Sequence, residues 1–194
     1  MKPLKPAVAI VLALFAAGCA GGAKQVREQP ARDLSAYYPL QIDNRWTYEV
    51  GLLGEKTSQE VRIVGQEGEV FVDDKGGRLT VDAYGVRDDK RYLLRGPIEV
   101  GTSWTNVVSV SSIERYRILE VGFTCTAAAG RFEGCVRVEG RNRVDANTTL
   151  INELTFAPGV GLVTIETAAE VKGQRIPQAK LELTSYEVHP TGAQ

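Results

Sequence analysis

Apolar and polar residues alternate along most of the chain from Tyr37 onward, and turn-forming residues interrupt this pattern at short intervals. The alternating apolar positions include Trp46, Tyr48, Val50, Val61, Ile63, Val70, Val72, Tyr116, Ile118, Leu181 and Leu183. A period of two is typical of strands that bury one face. Because parallel neighbours need crossovers of a dozen or more residues and these segments are joined by short turns, the strands are predicted to pair antiparallel.

About ten such segments fit the chain, and no long segment has the three-to-four-residue period of an amphipathic helix. A sheet of about ten strands tends to curl. The sequence therefore predicts one all-β domain over residues 37–190, a single antiparallel and strongly curved sheet that forms a half-barrel, a barrel or a sandwich. A length of 194 residues suits one such domain and is short for two.

One short motif occurs twice, which indicates that the sheet consists of two related halves. Residues 39–47 and 97–105 share proline, tryptophan and threonine at matching positions. The two tryptophans of the chain, Trp46 and Trp104, are equivalent in this alignment. Their indoles could line a ligand cavity, although a tryptophan on a strand more often fills the core.

The first 18 residues have the order of a secretory signal peptide. Lys2 and Lys5 give a basic start, and the eleven residues from Ala7 to Ala17 carry no charge. A helix that crosses a hydrocarbon core of about 30 Å needs about 20 residues, so this run is too short to span it. Its length suits the apolar region of a signal peptide, which we assign to residues 1–18.

The apolar run ends in the sequence Phe15-Ala16-Ala17-Gly18-Cys19. Small residues followed by a cysteine in this place resemble the lipobox of bacterial lipoproteins. The resemblance implies a diacylglycerol group on the Cys19 thiol, cleavage after Gly18 and an acyl group on the new N-terminus. An ordinary signal peptide with an incidental Cys19 is the alternative. Two or three acyl chains anchor a protein stably, whereas one does so only marginally.

Residues 19–36 are mostly small, charged or amide-bearing and have no apolar period, which is typical of a solvated tether. By analogy with other lipoproteins, Ala20 in place of aspartate favours the outer over the inner membrane of a Gram-negative cell. The chain has a formal net charge of −1 and no basic run, so we expect no nucleic acid partner. We expect membrane contact through the lipid anchor alone.

Three segments of the predicted domain resemble a loose group of uncharacterised bacterial secreted proteins and lipoproteins. They are YYPLxxxNxWxY from Tyr37, AGRFEGCVRV from Ala129 and FAPGVGLV from Phe156. The resemblance spans most of residues 37–166. No activity is attached to this group, so the resemblance implies no catalytic residue.

The two cysteines of the predicted domain, Cys125 and Cys135, can form a disulfide in an exported protein. Each lies five residues from Gly130, so a symmetric hairpin would set them opposite each other. That register would also set Phe123 against Arg137 and mix apolar with polar faces. A one-residue bulge near Gly130 would realign the faces and separate the cysteines. Both alternatives fit the sequence.

Motifs of catalysis and metal binding are missing from the sequence. It has no G-x-S-x-G, S-x-x-K, H-E-x-x-H or phosphate-binding loop, and His189 is its one histidine. Glutamates at strand positions could form an acid/base pair, but charged residues on a solvent-facing side give the same pattern. We therefore expect no catalytic residue, no metal and no cofactor apart from the lipid on Cys19.

These observations favour a membrane-anchored, non-enzymatic lipoprotein whose β domain binds an apolar or lipid ligand or an envelope protein. A structural or assembly subunit of an envelope complex is the second hypothesis. A hydrolase that uses two carboxylates about 5 to 9 Å apart is the third.

Substitution Cys19→Ser tests the anchor. We expect radiolabelled palmitate to enter the parent and not the variant, because the serine hydroxyl does not replace the thiol that is acylated. The parent should fractionate with membranes and the variant with soluble protein. Equal labelling or equal fractionation of the two chains would contradict the lipoprotein assignment.

Overall fold

A single antiparallel sheet of twelve strands forms the protein, and our computed structural model describes residues 34–52 and 54–189. The predicted signal peptide, Cys19 and most of the predicted tether lie outside these residues. A 3₁₀ helix, Leu34–Tyr37, precedes the sheet. The strands are β1 (Arg45–Leu52), β2 (Glu55–Glu67), β3 (Val70–Asp73), β4 (Arg78–Asp82), β5 (Gly85–Arg87), β6 (Tyr92–Arg95), β7 (Ser103–Ser109), β8 (Ser112–Ala127), β9 (Gly130–Arg143), β10 (Thr148–Ala157), β11 (Gly161–Val171) and β12 (Gln174–Glu187).

Strands β1 to β6 and β7 to β12 are each neighbours in chain order, and β1 also pairs with β12. The two edge strands are therefore β6 and β7, and the sheet is nearly closed into a barrel. The predicted all-β, antiparallel and strongly curved sheet is confirmed. Twelve strands form where about ten were expected, because β5 and β6 have only three and four residues and are too short to show a clear period.

Side chains of β7 bridge the gap between the edge strands. The Oδ1 atom of Asn106 accepts a hydrogen bond from the main-chain N–H of Tyr92, and its Nδ2 donates to the Tyr92 carbonyl, both at 3.0 Å. Trp104 Nε1 donates to the same carbonyl at 2.9 Å. The amide of Asn106 thus takes the place of a peptide group on a neighbouring strand, which satisfies an otherwise open edge.

The motif that occurs twice in the sequence forms the same turn twice. In residues 41–44 and 99–102 the N–H of the fourth residue donates to the carbonyl of the first, at 3.1 Å in both copies. The third residues, Asp43 and Gly101, both have positive φ, 71° and 95°. One turn leads into β1 and the other into β7, so β1–β6 and β7–β12 begin alike.

Residues 34–44, which we call the N-terminal plug, close one end of the barrel. Tyr37, Tyr38 and Leu40 are buried there, and the Tyr38 ring contacts Trp46 and Phe156 with ring centroids 5.6 and 6.5 Å apart. The plug includes residues 34–36, which the sequence analysis placed in the tether. They belong to the folded domain, since the Leu34 side chain packs against the core.

The plug is bonded to the turn between β10 and β11. The N–H of Gly159 donates to the Ala36 carbonyl at 2.6 Å. Trp46 Nε1 donates to Val160 O at 2.7 Å, and the Tyr48 hydroxyl donates to Leu162 O at 3.1 Å. Two of the three segments that carry the resemblance to secreted proteins therefore form one structural unit.

Large apolar side chains fill the barrel next to the plug. They come from strands on opposite walls, so the walls are held by direct contact across the interior. The fully buried ones include Trp46, Ile63, Val86, Leu94, Ile118, Val138, Phe156, Val163 and Leu183.

The strands differ in length, and this leaves the end of the barrel away from the plug partly uncovered. β2 and β8 have 13 and 16 residues, whereas β3 to β6 have three to five. β3 pairs only with residues 63–67 of β2, at the plug end. Residues 55–60 of β2 are all exposed. The far end is therefore a half-barrel made of β7–β12, β1 and β2.

Substitution Gly85→Ala tests the packing at the plug end. A Cβ atom at position 85 would lie 2.1 Å from the main-chain oxygen of Leu94, which cannot move without distorting β6. We expect the free energy of unfolding to fall by about 3 kcal/mol, as for an overpacked core.

The matched control is Gly65→Ala, a strand glycine whose added Cβ meets no atom within 4 Å. We expect it to be neutral or slightly stabilising, because alanine loses less backbone entropy than glycine on folding. Urea unfolding of both variants measures the difference, and equal stabilities would contradict the packing described here.

Substitution Asn106→Leu tests the closure of the barrel. Leucine keeps the volume and removes both groups that pair with Tyr92, so the Tyr92 amide should exchange with deuterium faster. The control Asn142→Leu removes an amide from β9, two strands away, where it bonds Ser112 Oγ at 3.1 Å. Unchanged protection of Tyr92 in Asn106→Leu, measured by NMR, would show that the side-chain bridge does not close the edge.

Candidate functional site

The half-barrel exposes a concave face that continues the inner, core-forming side of the sheet. Leu150 is 40% exposed although it lies on the same side of β10 as Leu154, which is buried. Ile176, 46% exposed, is joined to Leu150 through Ala169, because Ala169 pairs with both residues in register. Leu52, 54% exposed, follows Tyr48 and Val50 on the inner side of β1.

A row of partly buried aliphatic residues separates these exposed side chains from the core. Ile165 pairs with Leu181, and Leu181 pairs with Val50. We call these seven residues the concave face; they are Val50, Leu52, Leu150, Ile165, Ala169, Ile176 and Leu181. A concave aliphatic surface with a few polar groups at its border is typical of sites for apolar ligands.

Polar groups border the concave face on the side of β7, β8 and β9. Asn142 pairs in register with both Leu150 and Glu114. The buried carboxylate of Glu114 accepts a hydrogen bond from the Tyr116 hydroxyl at 3.0 Å and lies 3.6 Å from Arg91 Nε. Burial and the charge of Glu114 raise the pKa of Tyr116, so this phenol is neutral at physiological pH.

Both tryptophans lie in the core. Trp46 is 1% exposed and Trp104 is 6% exposed, and each indole N–H is used in a hydrogen bond to a main-chain carbonyl. Trp104 also stacks on Tyr116 with ring centroids 5.5 Å apart. These positions match the core-filling alternative of the sequence analysis, and the concave face is built from other residues.

Cys125 and Cys135 are joined by a disulfide, with their Cα atoms 6.0 Å apart. Neither register considered from the sequence occurs. Cys125 pairs with Phe132 and Cys135 with Phe123, because the hairpin turns at residues 128–129, between the paired Ala127 and Gly130, and the register then shifts once between Phe123 and Cys125. The sequence analysis centred the hairpin on Gly130 and left the bond open, and the structure forms it through a different register.

The irregular hairpin bends toward β12. Main-chain N–H groups of its tip, Ala128 and Ala129, donate to Glu182 Oε1 and to the Leu183 carbonyl, both at 3.0 Å. A cavity of about 360 Å³ lies against the hairpin, and a second one of about 440 Å³ adjoins it, since Glu166 and Lys180 line both.

Charged groups in these outer cavities are balanced. Arg175 lies 2.8 Å from Glu153, and Lys180 lies 2.7 Å from Glu182. The Arg137 guanidinium is 4.8 Å from the centre of the Phe123 ring. Paired charges on a partly exposed surface contribute little to stability or affinity, so the concave face is the stronger candidate site.

Strand glutamates on the outer side have basic partners. Glu49 lies 2.7 Å from Lys56, and Glu120 lies 3.4 Å from Arg137. This arrangement is typical of a solvent-facing side of a sheet. Among the residues that the structure describes, no group of three or more His, Cys, Asp or Glu side chains could hold a metal ion. The described ranges also contain no helix long and apolar enough to cross a membrane.

Two solved structures align with the chain at low similarity. A putative lipoprotein from Parabacteroides distasonis ATCC 8503 is 11% identical, with 78% of this chain and 98% of that chain covered and a TM-score of 0.43. A putative exported protein with a YmcC-like fold from Bacteroides fragilis NCTC 9343 is 12% identical over the same shares, with a TM-score of 0.44. No family model and no curated protein matches the sequence.

Proposed function

We propose that the protein is a membrane-anchored, non-enzymatic lipoprotein that holds an apolar chain, such as the acyl chain of a lipid, on its concave face. The signal peptide and the lipobox-like segment support export and acylation of Cys19. The observation that carries the ligand is the exposure of Leu52, Leu150 and Ile176 on the core-forming side of the sheet.

An apolar ligand would bury the apolar side chains that the short strands β3 to β6 leave exposed at the end of the barrel away from the plug. At the plug end, residues of β3 to β6 cover the inner side of the sheet. At the far end, the same side continues without that cover. Burial of apolar surface stabilises a complex by about 25 cal/mol per Å², so an acyl chain gains free energy on a face of this kind.

The anchor sets which end of the domain is closer to the membrane. Fourteen residues lie between Cys19 and Leu34, which limits the distance between them to about 50 Å when fully extended. Leu34 belongs to the plug, so the plug end is the tethered end. The concave face opens at the other end, where it is accessible to a ligand from the aqueous side. We propose the outer membrane as the location if the cell is Gram-negative, on the basis of Ala20.

The double substitution Leu150→Glu with Ile176→Glu tests the ligand site. We expect native mass spectrometry of protein purified from membranes to show a copurifying lipid with the parent chain. The double variant should lose it, because two carboxylates on an aliphatic surface would have to be desolvated on binding.

Val110→Glu is the control, because this residue is fully exposed in the turn between β7 and β8 and is not one of the seven residues of the concave face. It should keep the lipid. A parent chain without any bound lipid, or equal lipid content in all three proteins, would refute the proposed ligand site.

The second candidate is an assembly subunit that binds an envelope protein. Exposed aliphatic residues at the β7–β8 hairpin favour it, namely Val107, Val110 and Ile113. A photo-crosslinking residue at position 110 should then join an envelope protein in cells, whereas one at position 150 should not. Crosslinks to lipid at position 150 and none at position 110 would favour the first candidate.

A further inference from the structure

A cavity of about 280 Å³ lies at the gap between β6 and β7. The turn between β5 and β6 forms one wall, and β7 forms the other. Its charged lining consists of Arg87, Asp88, Asp89, Lys90, Arg91 and Arg95. The lining therefore carries four cations and two carboxylates, and two further carboxylates, Asp82 and Glu114, lie against two of the cations.

The two carboxylates have other partners. Asp88 Oδ1 accepts hydrogen bonds from the main-chain N–H groups of Lys90 and Arg91, both at 2.7 Å. Asp89 Oδ1 lies 3.5 Å from Arg78 Nε, outside the cavity. Asp88 therefore holds the turn in place, and the ion pairs of both carboxylates are with Arg91 and Arg78, not with Lys90 or Arg95.

Two of the four cations form ion pairs with carboxylates of the described residues, and two do not. Arg87 lies 3.2 Å from Asp82, and Arg91 lies 3.6 Å from Asp88 and 3.6 Å from Glu114. Lys90 and Arg95 form no ion pair with any residue in the described part of the chain.

Arg95 is held in a defined orientation by two aromatic rings. Its guanidinium carbon is 5.4 Å from the centre of the Tyr92 ring and 5.9 Å from the centre of the Tyr84 ring. Contacts with ring faces leave the N–H groups at the edge of the guanidinium free to donate. A planar fork of this kind matches two oxygens of a phosphate, and its fixed orientation lowers the entropy lost on binding.

We propose that this cavity binds a phosphate group, with Arg95 as a bidentate donor and Lys90 as a second positive charge. The phosphate can belong to free phosphate or to a lipid headgroup. The proposal does not depend on the function proposed for the concave face, because none of the cavity's lining residues belongs to that face.

The test uses the full chain with Cys19→Ser, which carries no acyl group. Titration with inorganic phosphate is followed by NMR, and sedimentation is measured with vesicles of phosphatidylcholine alone or mixed with phosphatidylglycerol. If free phosphate is the ligand, we expect saturable shifts at the amides of residues 90–95. If a headgroup is the ligand, we expect sedimentation with the phosphatidylglycerol vesicles and no saturable shift.

The double variant Lys90→Gln with Arg95→Gln should bind at least tenfold more weakly to whichever of the two probes, phosphate or phosphatidylglycerol vesicles, binds the parent. The charge-matched control Lys56→Ala with Arg131→Ala removes two exposed cations elsewhere and should leave this binding unchanged. Lys90→Gln alone changes an exposed turn residue, so its weaker binding cannot come from loss of the fold. Binding of neither probe, or equal weakening by the control pair, would overturn the proposal.

Discussion

The contact of the N-terminal plug and the start of β1 with the β10–β11 turn organises the rest of the structure. It joins residues more than 100 positions apart, through hydrogen bonds from Trp46 and Tyr48 of β1 to the main-chain carbonyls of Val160 and Leu162. Both side chains are buried, so each bond also satisfies a polar group that would otherwise lie unpaired in an apolar interior. The burial that raises the pKa of Tyr48 reflects the same environment. With this end sealed, the sheet can close around a packed core there.

Closure at one end and openness at the other follow from strand length. The four short strands form the second wall of the barrel only next to the plug. Beyond them, the inner side of the long strands continues, but no strand of the described residues lies opposite it. The same protein therefore combines a filled barrel, which gives stability, with a half-barrel, which gives an accessible surface.

The strand pattern, the antiparallel pairing and the curvature could be predicted from the sequence, because alternation and short turns determine them directly. The repeated turn could also be found, since proline and tryptophan mark both copies. Closure between β6 and β7 could not be predicted, because Asn106 looks like any polar residue in an alternating strand. The disulfide stayed undecided since the spacing of Cys125 and Cys135 does not reveal that the hairpin turns at residues 128–129 and not at Gly130, or that the register shifts beside Cys125.

The candidate site was the hardest part to predict. Leu150 and Ile176 occupy alternating positions like those of core residues. Alternation along a strand does not show which other strands lie opposite it. Their exposure depends on the length of β3 to β6, which lie 55 or more residues earlier in the chain. Sequence reasoning considered the two tryptophans instead, because large aromatic residues are more conspicuous than aliphatic ones in an alternating segment.

The pairing of β1 with β12 has a consequence for biogenesis. Arg45 and Glu187 are 142 positions apart and meet in the middle of the sheet, not at its edge. One edge of β1 therefore lacks its neighbour until β12 has emerged, and joining chain segments this distant is slow because loop closure is entropically costly. The export proposed above fits this order of events, since the native sheet cannot be completed before β12 has been translocated.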